Sequence, residues 1–354
     1  MKRSFIFQIL LLIFCALLIL FTDIGTAAAK EAVGRCLNII IPSLFVFMAV
    51  STIIVKSGAY RILSIPFYPL AKYVFKMPYE LFSVMFISNI AGFPVGASML
   101  TQLVRDKKIT AKTASVMQCY CYGGGPSFSL GVIGMVIFND KLTGLIIFLS
   151  SVLANLTIAL ILNRVYNIKA LSEKEKAGFS ASDFIECIEL SGRSMLMICA
   201  LIITFAVALE ILTIPLSSVL EHMGVYLSED AAVLIRSVME ISSVSALKNG
   251  SLVYLPIISA IFCYGGICIL VQVICTVRNS YSLSLFFITR LPCAMLDFLY
   301  SKGLVYLFAD KIKECMAYEQ NVVVNLNNFL PSFCLILMIF SLTFSKGVAF
   351  FKKI

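Results

Sequence analysis

The stretch CYGGGPS, residues 121–127, interrupts an apolar segment that is otherwise long enough to cross a lipid bilayer. Three glycines and one proline in so short a stretch cannot maintain a regular helix. The segment 113–138 is therefore predicted to be a spanning helix that unwinds at mid-membrane. The letters CYGG recur at 263–266, inside a later apolar segment, and the same kind of break is expected there.

The composition of the 354-residue chain indicates a membrane protein. Hydrophobic residues make up 60% of it, charged residues make up 13%, and the mean hydropathy is +0.99. Soluble domains carry about one-quarter charged residues, whereas the apolar runs here have roughly the 16–25 residues of a membrane-crossing helix. Because a helix satisfies its own backbone hydrogen bonds in lipid, we predict an all-α polytopic membrane protein with about eight transmembrane helices.

The formal net charge of +9 is distributed in a way that encodes topology. Lys and Arg lie in short connections between apolar runs, which assigns those connections to the cytoplasm and argues against nucleic-acid binding. Lys2 and Arg3 place the N-terminus there, and Lys56 and the basic stretch 105–108 mark further cytoplasmic ends. A last helix predicted over 329–344 brings the C-terminus to the same side. The chain is thus expected to be a multi-pass protein of the cell membrane.

A second interrupted segment begins with SVMFIS at 83–88 and continues as NIAGFPVGA. Gly92, Pro94 and Gly96 break its middle, and basic residues flank both of its ends. Like charge on both flanks predicts a hairpin that enters and leaves on one side, with its non-helical backbone satisfied by protein or by a wet cavity.

SVMFIS has a near-copy, SVMEIS, at 237–242, and each hexapeptide precedes one CYGG in the same order. Gly34-Arg35 precedes the first hexapeptide and Gly192-Arg193 precedes the second, so that each repeated unit begins with Gly-Arg. The predicted topology places three crossings between the starts of the copies, an odd number, so the second copy enters the membrane upside down. Two inverted repeats, each with a re-entrant hairpin and an unwound helix, are typical of secondary transporters. Convergent packing of small residues in membrane helices is the alternative explanation.

These signals divide the chain into five parts. Residues 1–30 form an N-terminal transmembrane helix, for which a cleaved signal peptide is the alternative. Residues 31–168 form the first repeat, 169–187 a cytoplasmic linker and 188–306 the second repeat. Residues 307–354 form an outer loop and the C-terminal transmembrane helix. Within the second repeat, a helix over 193–212 is expected to lead into an outer loop over 213–230, which contains no Lys or Arg and includes His222.

The predicted solute site lies at the hairpin tips and the helix breaks, where unwound backbone and helix ends offer hydrogen-bond donors and partial charges. The residues assigned to it from these patterns are Ser88, Asn89, Gly92, Pro94, Gly96, Gly123, Gly124, Gly125, Pro126, Ser127, Gly265 and Gly266.

Ionisable residues inside the second repeat are further candidates for solute binding, because such residues are costly in a membrane. Arg236 and Glu240 are four residues apart, so they either pair on one helix face or serve the site. Lys248 has no local acid, and Arg290 lies inside an apolar helix with Asp297 two turns away. The surplus of cations favours an anionic solute. At the positions of Arg236 and Glu240 the first repeat has Phe82 and Phe86.

No motif predicts catalysis or a metal centre. The chain contains no Ser/His/Asp or HExxH arrangement, and CYGGGPS lacks the Lys of a phosphate-binding P-loop. With 12 Cys but one His in the chain, a zinc site is not expected, and free thiols are. We therefore predict no catalytic residue, no metal and no cofactor.

At GFPVGA (92–97), CYGGGPSFSLGVIG and YGGICILVQV the chain resembles the YlbJ-type sporulation integral membrane proteins, over about residues 30–305. These carry nucleoside-recognition (gate) domains akin to concentrative nucleoside transporters. The resemblance implies two hairpins and two unwound helices around a central site. It also adds Gln272, which matches a Gln after the GG of the second broken helix. The family's Asn/Ser-rich run before a Pro is replaced here by CYCYGGGPS.

The resemblance further implies the movement of dipicolinate, a small aromatic dianion, in an endospore former, with the outer forespore membrane as a candidate location. The leading hypothesis is therefore a transporter or facilitator of a dipicolinate-like carboxylate, with nucleosides as the next solute class. A non-transporting membrane scaffold for spore assembly, with a degenerate site lined by Phe82 and Phe86, is the alternative. The expected partners are the solute and the lipid bilayer, and a homo-oligomer is left open.

Overall fold

The computed structural model describes residues 2–170, 179–222, 228–247 and 252–315. Within these ranges every regular element is a helix, and the single β-bridge pairs Ile109 with Ala170. The α-helices are α1 Lys2–Leu20, α2 Thr22–Arg35, α3 Ile41–Lys56, α4 Ala59–Leu63, α5 Phe82–Ile90, α6 Val95–Arg105, α7 Ala111–Met117, α8 Lys141–Val165, α9 Ala181–His222, α10 Glu229–Met239, α11 Leu255–Tyr264, α12 Gly266–Val277, α13 Ser284–Leu307 and α14 Ala309–Cys315. Shorter π and 3₁₀ helices occupy Cys36–Ile40, Ile65–Phe67, Leu70–Val74, Tyr79–Leu81, Ser127–Ile137 and Ile241–Ala246.

Three helices in the described ranges are long and apolar enough to cross a membrane: Lys141–Val165, Ala181–Thr213 and Leu255–Val277. Leu12–Leu20 and Thr22–Asn38, bent by 91° at Phe21, add a fourth if they act as one span. Many large apolar side chains are exposed, among them Leu196 at 71%, as expected of a surface that faces lipid. The protein is a helical membrane protein. The total of about eight spans stays a prediction, and its last helix, 329–344, lies outside the described residues.

Two helix boundaries predicted from the sequence are wrong. Helix α9 runs from Ala181 to His222, so the loop expected from Thr213 begins later. A stretch without Lys and Arg, such as 213–230, is predicted to lie on the outer side of the membrane. The lack of basic residues does not, however, terminate a helix. The apolar run 36–55 predicts a second transmembrane helix that starts at Cys36, whereas helical structure begins at Thr22 because the Ala-rich sequence of α2 favours a helix.

Side-chain caps position several of the helices that matter for the site. Thr110 accepts a hydrogen bond from the backbone N–H of Thr113 at the start of α7. Asp140 accepts from two backbone N–H groups at the start of α8, and Ser228 accepts from that of Ala231 at the start of α10. Each cap satisfies an N–H group that has no partner inside its helix.

The chain reverses direction between α5 and α6. Gly92 has a φ of +89°, which glycine adopts readily, and the Phe93–Pro94 peptide bond is cis. A Cβ atom added at Gly96 would lie 2.9 Å from the Cβ of Ser88, although a straight helix would separate these positions by about 12 Å. The two arms therefore pack against each other as a hairpin. That the hairpin re-enters the membrane stays a prediction.

The second copy of the hexapeptide breaks earlier than the first. Helix α5 continues through Phe86 to Ile90, whereas α10 ends at Met239 and Glu240 is extended, with φ −142° and ψ 109°. The Glu240 side chain accepts a hydrogen bond from the N–H of Ser242 and so caps the following 3₁₀ helix. The glutamate present in the second copy thus redirects the chain.

Both CYGG segments interrupt their helices as predicted. Between α7 and the π-helix Ser127–Ile137 the backbone is irregular, and Gly125 has a φ of +73°. Between α11 and α12, Gly265 and Gly266 have φ values of +90° and +76°. L-residues with a side chain rarely adopt such values, so glycine is required at both breaks.

Candidate functional site

The two helix breaks contact each other directly. The hydroxyl of Tyr122, in the first CYGG, donates a hydrogen bond to the carbonyl oxygen of Tyr264, in the second, at 3.0 Å. A Cβ at Gly265 would lie 2.0 Å from the Tyr122 hydroxyl, and a Cβ at Gly124 would lie 2.2 Å from the Phe262 ring. The glycines therefore allow the two unwound segments to approach more closely than any larger residue would.

Each break also packs against the end of a helix, α5 or α10, that carries one copy of the hexapeptide. A Cβ at Gly125 would lie 2.8 Å from the carbonyl oxygen of Ile90, at the end of α5. A Cβ at Gly266 would lie 3.2 Å from the carbonyl oxygen of Met239, at the end of α10. The end of α5 therefore lies beside the first break, and the end of α10 lies beside the second.

Two asparagine side chains satisfy the backbone of the first break. Asn89 donates to the carbonyl oxygen of Tyr120 at 3.1 Å. Asn155, on α8, donates to the carbonyl oxygen of Tyr122 at 2.7 Å and to the side-chain oxygen of Asn89 at 2.8 Å. Both amides are buried, so they replace the hydrogen bonds that the unwound helix has lost. Sequence reasoning identified Asn89 but missed Asn155, whose signal was an amide inside a long apolar helix.

A cavity of about 100 Å³ lies where these segments converge. The segments that line it include the tip of the hairpin between α5 and α6, the first break, the end of α10 and α12. The predicted site residues that line it are Gly92, Gly124, Gly125, Ser127, Glu240 and Gln272. The structure thus brings together residues that the sequence motifs indicated in separate parts of the chain.

The remaining wall of this cavity is apolar. Ile40 and Leu44 contribute from the start of α3, and Ile198 and Ile202 contribute from α9. Phe93 and Phe128 lie beside the two glycine segments. Sequence reasoning did not identify these residues, because apolar side chains in apolar helices carry no signal that separates a cavity wall from ordinary packing.

Among the described residues, Glu240 is the one ionisable side chain that lines the cavity. Its side chain is buried, with 3% of the residue exposed. One carboxylate oxygen accepts from the backbone N–H of Ser242 at 3.0 Å, and the other accepts from the Ser242 hydroxyl. No basic side chain forms an ion pair with it in the described ranges.

The predicted pairing of Arg236 with Glu240 is wrong. The Arg236 guanidinium forms an ion pair with Glu210 on α9, at 3.0 Å, and lies 3.5 Å from the Thr213 hydroxyl. The spacing of four residues would bring the two side chains together only on a continuous helix, and α10 ends at Met239. Arg236 does not line the cavity.

Arg290 lies behind the first break and outside the cavity lining. Its guanidinium is fully buried and donates to the carbonyl oxygen of Cys119. It also lies 4.7 Å from the ring centroid of Tyr122 and 4.9 Å from that of Phe286. Within the described ranges it forms no ion pair with Asp297. Its observed role is to support the unwound segment that carries Tyr122.

The other predicted residues lie next to the cavity without lining it. Ser88 donates to the carbonyl oxygen of Met85 at 2.8 Å, and Gly96 packs against the backbone of Cys121. Lys248 lies outside the described residues. The predicted residues that support the tips and breaks in this way are Ser88, Asn89, Pro94, Gly96, Gly123, Pro126, Gly265 and Gly266.

Phe82 and Phe86 do not line the cavity. Phe82 stacks on Phe67 at 5.1 Å between ring centroids and lies 5.6 Å from Phe75, and Phe86 lies 5.8 Å from Phe67. These aromatic residues join the first hairpin to the segment 59–76, whose Ile62, Ile65 and Tyr73 are exposed. The expectation of a degenerate site lined by Phe82 and Phe86 is therefore wrong.

The described residues contain no group of three His, Cys, Asp or Glu side chains that could hold a metal ion. The chemistry available at the cavity is therefore hydrogen bonding by backbone groups, Ser127, Ser242 and Gln272, together with one carboxylate and an apolar wall. Such a site can bind and release a solute.

The chain is similar to the sporulation integral membrane protein YlbJ of Bacillus subtilis (strain 168), with 22% identity over 133 residues. The match covers 38% of this chain and 33% of the length of that protein. The similarity to a YlbJ-type protein expected from the motifs is thereby confirmed. No protein-family model matches the chain, and no solved structure matches it.

Proposed function

We propose that this protein is a membrane transporter or facilitator for a small solute, built from two inverted repeats. One observation carries the proposal: residues from the first hairpin tip, the end of α10 and both broken helices line a single cavity. Broken helices and hairpins that meet around a central site are the usual architecture of secondary transporters. The proposal includes no catalytic step and no cofactor.

Transport requires the site to open. The cavity of about 100 Å³ is smaller than the roughly 300–1,000 Å³ of typical small-molecule sites. A solute therefore enters only when a hairpin moves away from a break, and the described state is closed. Opening would have to break the hydrogen bond between Tyr122 and Tyr264 and the aromatic contacts that Phe93 makes with Tyr122 and Phe262.

Two solute classes follow from different observations. YlbJ is named as a sporulation integral membrane protein, which supports a role for this chain in sporulation. The dipicolinate-like carboxylate as cargo and the outer forespore membrane as location rest on the resemblance of the sequence motifs alone. Glu240, an acceptor inside the cavity, favours a neutral solute rich in hydrogen-bond donors, such as a nucleoside. The dianion is the leading cargo, and the nucleoside is the second candidate.

Reconstitution in liposomes tests the proposal. Labelled dipicolinate and labelled uridine are offered to wild-type protein and to Ile202→Trp, which fills the cavity from α9. We expect uptake of one solute by the wild type and at least a tenfold lower rate for the variant. Leu196→Trp, on the lipid-facing side of the same helix, is the matched control and should retain uptake. Uptake of neither solute by folded wild-type protein would favour the membrane scaffold instead.

A further inference from the structure

A second cavity, of about 380 Å³, lies between α3, α6, α9 and α12. We call it the basic vestibule, because Lys56, Arg105, Arg193 and Arg278 line it against two acids, Asp106 and Glu186. The predicted topology assigns Lys56 and Arg105 to the cytoplasmic ends of two different segments, and here they share one space with Arg193 and Arg278. Basic side chains at these ends are usually explained by topology alone, which gives no reason for them to share a cavity.

Two of the four cations have no acidic partner among the residues that the structure describes. Lys56 forms an ion pair with Glu186 at 3.1 Å, and Arg193 pairs with Glu189 at 2.5 Å. Asp106 lies 3.8 Å from Lys108. The guanidinium groups of Arg105 and Arg278 form no ion pair with any residue in the described ranges.

Neutral hydrogen-bonding groups complete the lining of the basic vestibule. Ser98, Thr101 and Gln102 contribute from α6, and Thr276 contributes from α12. Thr101 is buried, with 4% of its surface exposed, and its hydroxyl lies close to the Tyr281 hydroxyl. Ser98 and Gln102, in the same lining, carry groups that can donate hydrogen bonds to the oxygens of a bound anion.

The basic vestibule adjoins the central cavity along the same helices. On α9, Ser194 lines the vestibule and Ile198 lines the central cavity, one helical turn apart. On α12, Thr276 lines the vestibule and Gln272 lines the central cavity, and the Thr276 hydroxyl donates to the Gln272 carbonyl oxygen at 2.8 Å. The two cavities are therefore separated by about one helical turn on both α9 and α12.

We propose that the basic vestibule binds a small soluble anion bearing carboxylate or phosphate groups and delivers it to, or receives it from, the central cavity. Arg105 and Arg278 hold the anion, because a guanidinium binds such groups through two parallel hydrogen bonds. Ser98 and Gln102 add neutral donors. The proposal rests on the proposed transport function for its delivery step, but the binding step stands on the cavity alone.

Binding is measured on the full chain in detergent, by calorimetry with isophthalate and with inorganic phosphate as probes. Arg105→Gln/Arg278→Gln should weaken isophthalate binding at least tenfold, and added salt should weaken wild-type binding. The matched control removes two basic side chains from the same predicted side but outside the cavity, Arg164→Gln/Lys169→Gln, and should change affinity less than twofold.

Three results would overturn the proposal. The first is that folded wild-type protein binds neither probe, and the second is that the two double variants bind isophthalate equally. The third is that only phosphatidylglycerol micelles displace bound isophthalate. The last result would assign the arginines to a lipid headgroup. Uridine and dipicolinate flux in liposomes separates this proposal from the transport function. Binding that depends on the two arginines, without flux, would contradict transport and leave the anion site standing. Flux without such binding would support transport and contradict the anion site.

Discussion

The hydroxyl of Tyr122 donates a hydrogen bond to the carbonyl oxygen of Tyr264, 3.0 Å away, and the two residues hold the same position in the two CYGG segments. The bond joins the unwound centres of two broken helices that are far apart in the chain. The relative position of the two helix breaks therefore depends on the contact between Tyr122 and Tyr264.

Tyr122→Phe removes this bond and keeps the ring. The loss of one buried hydrogen bond costs about 0.5–1.5 kcal/mol, so we expect a lower unfolding midpoint in detergent and a changed uptake rate. Tyr73→Phe, at an exposed position of the segment 59–76, is the control and should leave both values unchanged. An unaltered midpoint for Tyr122→Phe would show that the bond contributes nothing.

Gly124→Ala tests the close approach of the breaks. The new methyl group would overlap the ring of Phe262, and overpacking of this kind costs about 1–3 kcal/mol. The measurement is the thermal unfolding of the purified variant. Gly192→Ala, in α9 with nothing within 4 Å of its added Cβ, should be neutral or stabilising because alanine favours a helix. Partial rescue by Phe262→Leu is expected, and its failure would contradict the stated cause.

Glu240→Gln separates the two solute classes. The amide oxygen still accepts the hydrogen bond from the Ser242 N–H, so the cap is retained while the negative charge of the cavity is lost. For a dianionic cargo we expect uptake of dipicolinate to be maintained or to rise, because a repulsive charge has been removed. Glu210→Gln, outside the cavity, is the control. A selective fall in uridine uptake would favour the nucleoside instead.

Arg290→Gln should act through structure. Its guanidinium donates to the Cys119 carbonyl and stacks on Tyr122, so its loss disturbs the first break whatever the cargo. We expect a lower unfolding midpoint and an equal reduction in the uptake of any transported solute, measured in the same liposomes. A normal midpoint together with selective loss of anion uptake would place Arg290 in direct contact with the solute.

The glycine motifs predicted the hairpin tip and the helix breaks beside the cavity, because the need for positive φ and close backbone approach is visible in residue type. Gly92, Gly125, Gly265 and Gly266 all have positive φ. Charge pairing was less predictable. The spacing of Arg236 and Glu240 implies a pair only if the helix continues, and its end at Met239 depends on how Glu240 caps the next turn.

Contacts between residues on different helices could not be predicted from the sequence. Ile198 and Ile202 line the cavity because of how α9 packs, and their letters do not differ from those of lipid-facing residues on the same helix. The partner of Arg236 is Glu210, on a different helix, and no local pattern joins the two. Arg105 and Arg278 likewise meet at one vestibule only in the folded chain.

Solute-protected labelling tests the central claim, that both repeats line one solute site. Ser127→Cys, in the first break, and Ser242→Cys, after α10, are labelled with a methanethiosulfonate reagent in liposomes, and Ser180→Cys, exposed at the start of α9, is the control. The account predicts that labelling at 127 or at 242 blocks uptake, that the transported solute protects both positions, and that the control is unaffected. Unchanged uptake after complete labelling of both positions would contradict it.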